Sequence, residues 1–186
     1  MITVDRIFPT CIVKSINLDI AKKLLSICDK YLPDTDSNLF GVDNFPTTYN
    51  SKFNKEVNEE LIVKQVLSYI INNHAAALAE ECGIPYSEIK FNPYGFFNSM
   101  QQYSYMKRHM HCNATFSGIV YLDIGKDVPP IVFHDPRPSA AFADNRSHEF
   151  EVRPETGMIM IWNSWLEHEI PQKLNDNVRK VFSFNI

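Results

Sequence analysis

Apolar residues recur every three to four positions in the first half of the chain and every second position in the second half, and this change of period divides the sequence. Ile20, Leu24, Ile27, Cys28 and Tyr31 mark one face of a helix, with Asn17 as its N-cap, Asp19 at its positive end and Pro33 at its stop. A longer helix is expected from about Glu56 to Cys82, with Val63, Val66, Leu67, Ile70, Ile71, His74 and Leu78 on one stripe and Gly83 ending it. That stripe puts His74 on the core face as a packed, hydrogen-bonded residue. Asp34 to Ser51 is rich in Asp, Asn, Pro and Thr without a period and reads as a loop.

From about Tyr94 short β-rich runs alternate with turn signals: Gly95 to Gln101, Thr115 to Asp123, Ile131 to His134, Glu149 to Arg153, Met158 to Trp162 and Val178 to Ile186. Pro136 to Ser147 reads as a long surface loop. The fold class is therefore expected to be α+β, a β-sandwich or jelly roll with one sheet covered by the amino-terminal helices. A single domain over 1–186 is expected, mainly helical over 1–90 and β over 91–186.

The last strand is the most legible. Phe182, Phe184 and Ile186 alternate with Arg179, Val181, Ser183 and Asn185, so one face packs and the other is polar. If the apolar face meets the helices, Arg179 looks into the sandwich, where a buried guanidinium requires an anionic partner. Thr115 to Asp123 repeats the pattern, with Phe116, Val120 and Leu122 opposite Ser117, Ile119 and Tyr121, and with Gly118 at a bulge or close-packing point.

The composition, 45% hydrophobic and 22% charged over 186 residues, is that of a folded protein. A net charge of −4 offers no field for polyanions, so nucleic-acid binding is not expected. Apolar runs such as Ile159 to Trp162 fall far short of the about 20 residues that span a bilayer, and no apolar leader follows Met1, so a cytoplasmic protein is expected. Oligomeric state is not legible. Cys11, Cys28, Cys82 and Cys112 form no metal-binding spacing. Cys112 lies beside His111, but neighbours on an extended chain point to opposite faces, which disfavours a Cys/His nucleophile pair.

Chemistry concentrates at Arg108-His109-Met110-His111-Cys112-Asn113, where two imidazoles at i and i+2 share one side of an extended segment. His168 follows the strand Met158 to Trp162 and the turn Asn163-Ser164-Trp165. Three imidazoles suit zinc, iron, copper or nickel and leave positions open for substrate. Arg179 follows His168 by 11 residues on the inward face of the next strand, so metal and guanidinium would share a cavity. A ligand held at one end by metal and at the other by a buried arginine is a short dicarboxylate or keto acid.

The order HxH, Ser117 to Leu122 (SGIVYL), Phe133-His134-Asp135-Pro136-Arg137, Asn163 to His168 and Arg179 to Asn185 resembles the iron and 2-oxoglutarate dependent oxygenases. More narrowly it resembles a subgroup frequent in bacteria and their marine phages, with motifs HxH, SGVYYL, FxDPR, SxLxH and RxSxSFN; a phage-encoded chain would act in the host cytoplasm. The resemblance covers about residues 91 to 186. It implies a double-stranded β-helix, or distorted jelly roll, backed by helices, and an Fe(II)- and 2-oxoglutarate-dependent hydroxylase using dioxygen, with ascorbate as an optional reductant. His109 and His168 match the iron-binding histidines, and Arg179 matches the residue gripping the distal carboxylate of 2-oxoglutarate. Ser183 or Val181 takes the accompanying hydroxyl position, Tyr121 a strand tyrosine that also reaches that carboxylate, and Asn98 a place in the same pocket.

Most of the superfamily carries Asp or Glu where this chain has His111. Either His111 completes a three-histidine site or the carboxylate comes from Asp135 or Asp123; the i, i+2 spacing favours His111. Asp135-Pro136-Arg137 reads as a capped turn, with Arg137 also a candidate substrate contact. The target, a protein side chain or a small metabolite, is expected to be chosen by the loops Asp34 to Ser51 and Pro136 to Ser147. Two rivals remain: a cupin-like binding module without catalysis, and a three-histidine dioxygenase that needs no 2-oxoglutarate.

Overall fold

The computed structural model describes residues 10–35, 45–49, 51–137 and 148–186. Nine strands form two antiparallel sheets among these residues. The five-stranded sheet runs in the order β1 (Ile12–Ile16), β7 (Met158–Asn163), β4 (Phe116–Ile124), β9 (Arg179–Asn185), β2 (Tyr94–Ser99). The four-stranded sheet runs β3 (Met106–His109), β8 (His168–Ile170), β5 (Ile131–His134), β6 (Glu149–Val152). The fold is thus mixed α and β with antiparallel sheets, as the change of period predicts.

Alternation along β4 and β9 sorts residues to two cores. Phe116, Val120, Leu122, Phe182, Phe184 and Ile186 join the helices in one cluster, while Ile119, Tyr121 and Val181 join Ile131, Phe133 and Trp162 from both sheets in another. Each large apolar side chain buried this way contributes roughly 1.5–3 kcal/mol. Gly118 is the close-packing point: a Cβ there would stand 2.2 Å from Phe184 Cζ and 2.4 Å from the Met160 carbonyl oxygen. Only a bare Cα lets the Phe184 ring approach β4 this closely.

Helix α1 (Leu18–Tyr31) begins where its cap predicts, with Asn17 Oδ1 accepting from Ile20 N at 3.0 Å, and buries Ile20, Leu24, Ile27 and Cys28. The second helix differs from expectation. It is split into α2 (Asn54–Glu59), α3 (Leu61–Ile70), a π-helical turn (Ile71–Ala75) and α4 (Ala76–Cys82). Glu60 breaks it with ψ 128, and its carboxylate accepts from Lys30 Nζ at 2.6 Å and Tyr31 Oη at 2.7 Å, a tertiary reason that periodicity cannot carry. The π turn carries His74, whose Nε2 lies 2.6 Å from Ser15 Oγ on β1, so the core reading of His74 holds. Gly83, at φ 67, ends α4 in the left-handed conformation expected of a glycine stop.

Three strands escaped the sequence pattern: β1 at the edge of the large sheet, and the short β3 and β8. The bounds of the other strands agree with expectation to within two residues. Of the two expected loops, residues 36–44, 50 and 138–147 lie outside the described residues. The described part of the first is anchored rather than free: Thr48 N donates to the Phe97 carbonyl at 3.0 Å and Phe97 N donates to Thr48 Oγ1 at 2.9 Å, which ties 45–49 to β2. All four cysteines are free thiols; Cys28 is buried, and its desolvation pushes the thiol up to about 12. No helix among the described residues is long and apolar enough to cross a membrane.

Candidate functional site

Short strands at the edge of the smaller sheet converge three imidazoles. His109 and His168 are register partners between β3 and β8, and His111 follows as its backbone N donates to the Ser164 carbonyl at 2.9 Å. Ser164, in the turn before β8, is in turn bonded through its hydroxyl to the Ala114 carbonyl. One ring nitrogen from each of His109, His111 and His168 lies within 4.8 Å of the others, a group that could hold a metal ion. Among the described residues no carboxylate belongs to that group.

Hydrogen bonding fixes which nitrogens face inward. His109 Nδ1 lies 2.7 Å from the Lys107 carbonyl, and His168 Nδ1 lies 2.9 Å from the Leu166 carbonyl. A carbonyl only accepts, so both Nδ1 atoms carry hydrogen and both Nε2 atoms keep a bare lone pair, the arrangement a ligating histidine needs. Burial disfavours the charged imidazolium and lowers all three pKa values, that of His111 to about 4 and that of His168 to about 3, and for these two repulsion from the neighbouring rings adds to it. The trio is thus held neutral, and this donor set fits a divalent transition metal.

The same cavity, about 400 Å³, is lined by the three histidines and by Arg179, Asn98 and Ser183. Arg179 is 1% exposed; its Nη1 rests 3.0 Å from Met100 Sδ, while Nε and Nη2 have no hydrogen-bond partner among the described residues. A buried guanidinium with two idle donors is costly, and a bound carboxylate removes that cost. Asn98 Nδ2 donates to Ser183 Oγ at 3.2 Å, so these two form a polar pair on the cavity wall. Val181 also lines the wall. Tyr121 is buried with its ring centroid 5.6 Å from Arg179 Cζ, and among the described residues its hydroxyl makes no hydrogen bond of normal geometry. Burial raises the Tyr121 pKa, so the phenol stays protonated.

Other residues singled out by sequence fall elsewhere. Asp135 accepts from Arg137 N at 3.0 Å and Nε at 2.9 Å and pairs with Nη2 at 2.6 Å, the capped turn that the Asp-Pro-Arg run predicts. That guanidinium holds the Asp135 carboxyl well below the usual carboxylate range. Asp123 stands opposite Lys180 in the β4–β9 ladder. Trp162, by contrast, lines the cavity as well as packing in the core, 5.0 Å from the His168 ring and 5.1 Å from that of Phe133, centroid to centroid. Tyr103 occupies a turn with φ 66. His134 is largely enclosed, 3.8 Å from carboxylate oxygens of Glu149 and Glu169.

Sequence reasoning missed Met100 under Arg179, the aromatic wall of Tyr49, Tyr94 and Phe96, and the polar role of Asn185. The inward parity of β9 already carried Asn185; nothing in the sequence announced the others as neighbours.

A family model described as "Putative 2OG-Fe(II) oxygenase", 2OG being 2-oxoglutarate, matches residues 96–185, just under half of the chain, including all three histidines and Arg179. No curated protein matches the chain. Among solved structures, a Pseudomonas putida prolyl-4-hydroxylase is similar at 13% identity and TM-score 0.64, over 95% of this chain and 92% of that one. A Trichoplax adhaerens prolyl hydroxylase in complex with a hypoxia inducible factor oxygen degradation domain peptide fragment aligns at 9% identity and TM-score 0.60, over 94% and 83%. HygX from Streptomyces hygroscopicus, with nickel and 2-oxoglutarate bound, aligns at 11% identity and TM-score 0.55, over 95% and 83%. At such identities the likeness is one of fold.

Proposed function

We propose that this protein is an Fe(II)- and 2-oxoglutarate-dependent oxygenase, built on a double-stranded β-helix, that hydroxylates a protein side chain or a small metabolite. His109, His111 and His168 hold the iron, and Arg179 pairs with the distal carboxylate of 2-oxoglutarate. The observation that carries the reading is the orphaned, buried guanidinium of Arg179 in the same cavity as three neutral imidazoles. A structural metal site has no need of that arginine.

When bound, iron and 2-oxoglutarate would supply the oxidising chemistry: the keto acid loses carbon dioxide and takes up one oxygen atom of dioxygen to become succinate, while the other oxygen atom enters a substrate C–H bond. The protein's residues position and exclude. Two backbone carbonyls lock the His109 and His168 tautomers, so the ligand lone pairs are set before metal arrives. Arg179 offers two idle donors in a planar fork, which fixes the orientation of a carboxylate as well as its place. The Asn98–Ser183 pair adds hydrogen-bonding capacity beside it, and the protonated Tyr121 hydroxyl adds a donor. Met100, Trp162 and Ile119 keep the wall apolar, which strengthens every charge interaction inside. Ascorbate is an optional reductant.

The test is calorimetric titration of 2-oxoglutarate into Mn(II)-loaded wild type and Arg179→Ala: binding is expected in the first and lost in the second. The lack of a carboxylate in the metal group favours one other reading, a three-histidine dioxygenase without 2-oxoglutarate. That reading predicts no 2-oxoglutarate binding in either protein.

A further inference from the structure

The cavity contains one more built polar group. Asn185 on β9 is the register partner of Tyr94 on β2 and of Ser117 on β4, which brings three side chains together on neighbouring strands. Asn185 is 2% exposed and Ser117 1%. Ser117 Oγ donates to Asn185 Oδ1 at 2.6 Å, and Asn185 Nδ2 donates to Tyr94 Oη at 2.7 Å. Among the described residues Ser117 Oγ has no second acceptor, so turning the amide over would strand a buried hydroxyl proton. The relay therefore runs one way and ends on the Tyr94 oxygen, leaving the phenol proton free to donate.

Tyr94 lines the cavity at its aromatic wall, stacked on Phe96 at 6.5 Å between centroids, with Tyr49 edge-on to Phe96 at 4.7 Å. Lys107 and Arg179 line the same space, and no Asp or Glu does among the described residues. Asn185 lies six residue steps along β9 from Arg179, about 20 Å at the rise of a strand, so the two ends can serve different ligands.

We infer that Tyr94 is a binding residue for the primary substrate, donating to an uncharged acceptor oxygen, and that this substrate is a neutral amide- or hydroxyl-bearing compound rather than a free amine. An ammonium group would find no carboxylate in this cavity among the described residues, and the charged side chains that line it, Lys107 and Arg179, are both cationic. The flat aromatic wall suits an apolar or ring-bearing body beside the acceptor. Asn185 and Ser117 are positioning residues that set the direction of the donor. The inference rests on the oxygenase reading only in calling the occupant the primary substrate.

The test is an NMR titration of the metal-free chain with two ring compounds of similar size, neutral benzamide and cationic benzylammonium, reading the Gly95 amide and the Asn185 side-chain amide. Benzamide is expected to shift both signals and benzylammonium neither. Tyr94→Phe keeps the ring and removes the donor, and should weaken benzamide about three- to tenfold. Ser117→Ala frees Asn185 to turn and should act in the same direction, with Ser117→Thr restoring affinity. Equal binding of the two probes, or unchanged benzamide affinity in both Tyr94→Phe and Ser117→Ala, overturns the inference. So does a loss of 2-oxoglutarate affinity in Mn(II)-loaded Tyr94→Phe that matches the loss for benzamide, because Tyr94 then serves the cosubstrate. If wild type binds benzamide as expected but not 2-oxoglutarate, the oxygenase reading fails and the amide-binding group stands.

Discussion

His109 and His168 stand opposite one another in the β3–β8 ladder, with ring centroids 4.4 Å apart. A one-residue slip of either strand would turn one imidazole to the other face, so the register of two very short strands decides whether a metal group exists. His111 joins them because the backbone bond to Ser164 holds the chain beyond β3 against the turn that launches β8.

Each of His109→Ala, His111→Ala and His168→Ala is therefore expected to weaken Mn(II) or Ni(II) binding at least about tenfold, a loss of more than 1.4 kcal/mol. Asp135→Ala should leave metal affinity unchanged, because that carboxylate is engaged by Arg137. Calorimetry in which His111→Ala binds as wild type and Asp135→Ala does not would put the third ligand at the carboxylate.

Burial gives the metal-free protein an acid-sensitive stability. The unfolded imidazoles titrate near 6.5, whereas the folded values of His74, His109, His111 and His168 are lowered, to about 4 for His111 and about 3 for His168. Below about pH 6.5 the unfolded chain binds more protons than the folded one, so stability rises with pH there and is lost as pH falls toward 4. The urea midpoint of metal-free protein should drop steadily from pH 7 to pH 5.5, and less steeply in His111→Asn. A midpoint that stays constant over that range contradicts the buried, neutral assignment.

Gly118→Ala should destabilise the fold by about 1–3 kcal/mol or more, since the new methyl would meet the Phe184 ring and the Met160 carbonyl, and backbone cannot give way as a flexible side chain can. Denaturant unfolding measures it; a change under about 0.5 kcal/mol would show that β4 and β9 are less tightly joined than described.

Arg179→Lys should bind 2-oxoglutarate nearly as poorly as Arg179→Ala, at a cost of about 2–5 kcal/mol, because an ammonium cannot reproduce the guanidinium fork. Calorimetry in which lysine restores binding would mean that charge alone suffices at this position.

Much of this was legible because β9 and β4 obey strict alternation. Phe182, Phe184 and Ile186 had to pack, so Arg179, Ser183 and Asn185 had to face the other way. The first helix was equally plain from Asn17 and its apolar stripe. What failed to show has physical causes. β1 is a half-exposed edge strand with little apolar alternation, and β8 spans three residues, too few for a period to register. The break at Glu60 answers to Lys30 and Tyr31, about thirty residues away, and no local propensity contains that contact. The metal group was readable only as a spacing; its tautomers depend on the carbonyls of Lys107 and Leu166, which every sequence possesses. The enclosure of His134 likewise depends on its neighbours across β6 and β8.

The most direct test of the account is succinate release from 2-oxoglutarate in air, with Fe(II) and ascorbate, by wild type, His168→Ala and Arg179→Ala. Uncoupled turnover requires no knowledge of the primary substrate. Succinate above the protein-free control is predicted for wild type and its loss for both variants. Wild type that binds Fe(II) yet forms no succinate, or variants that form it at the wild-type rate, would contradict the assignment.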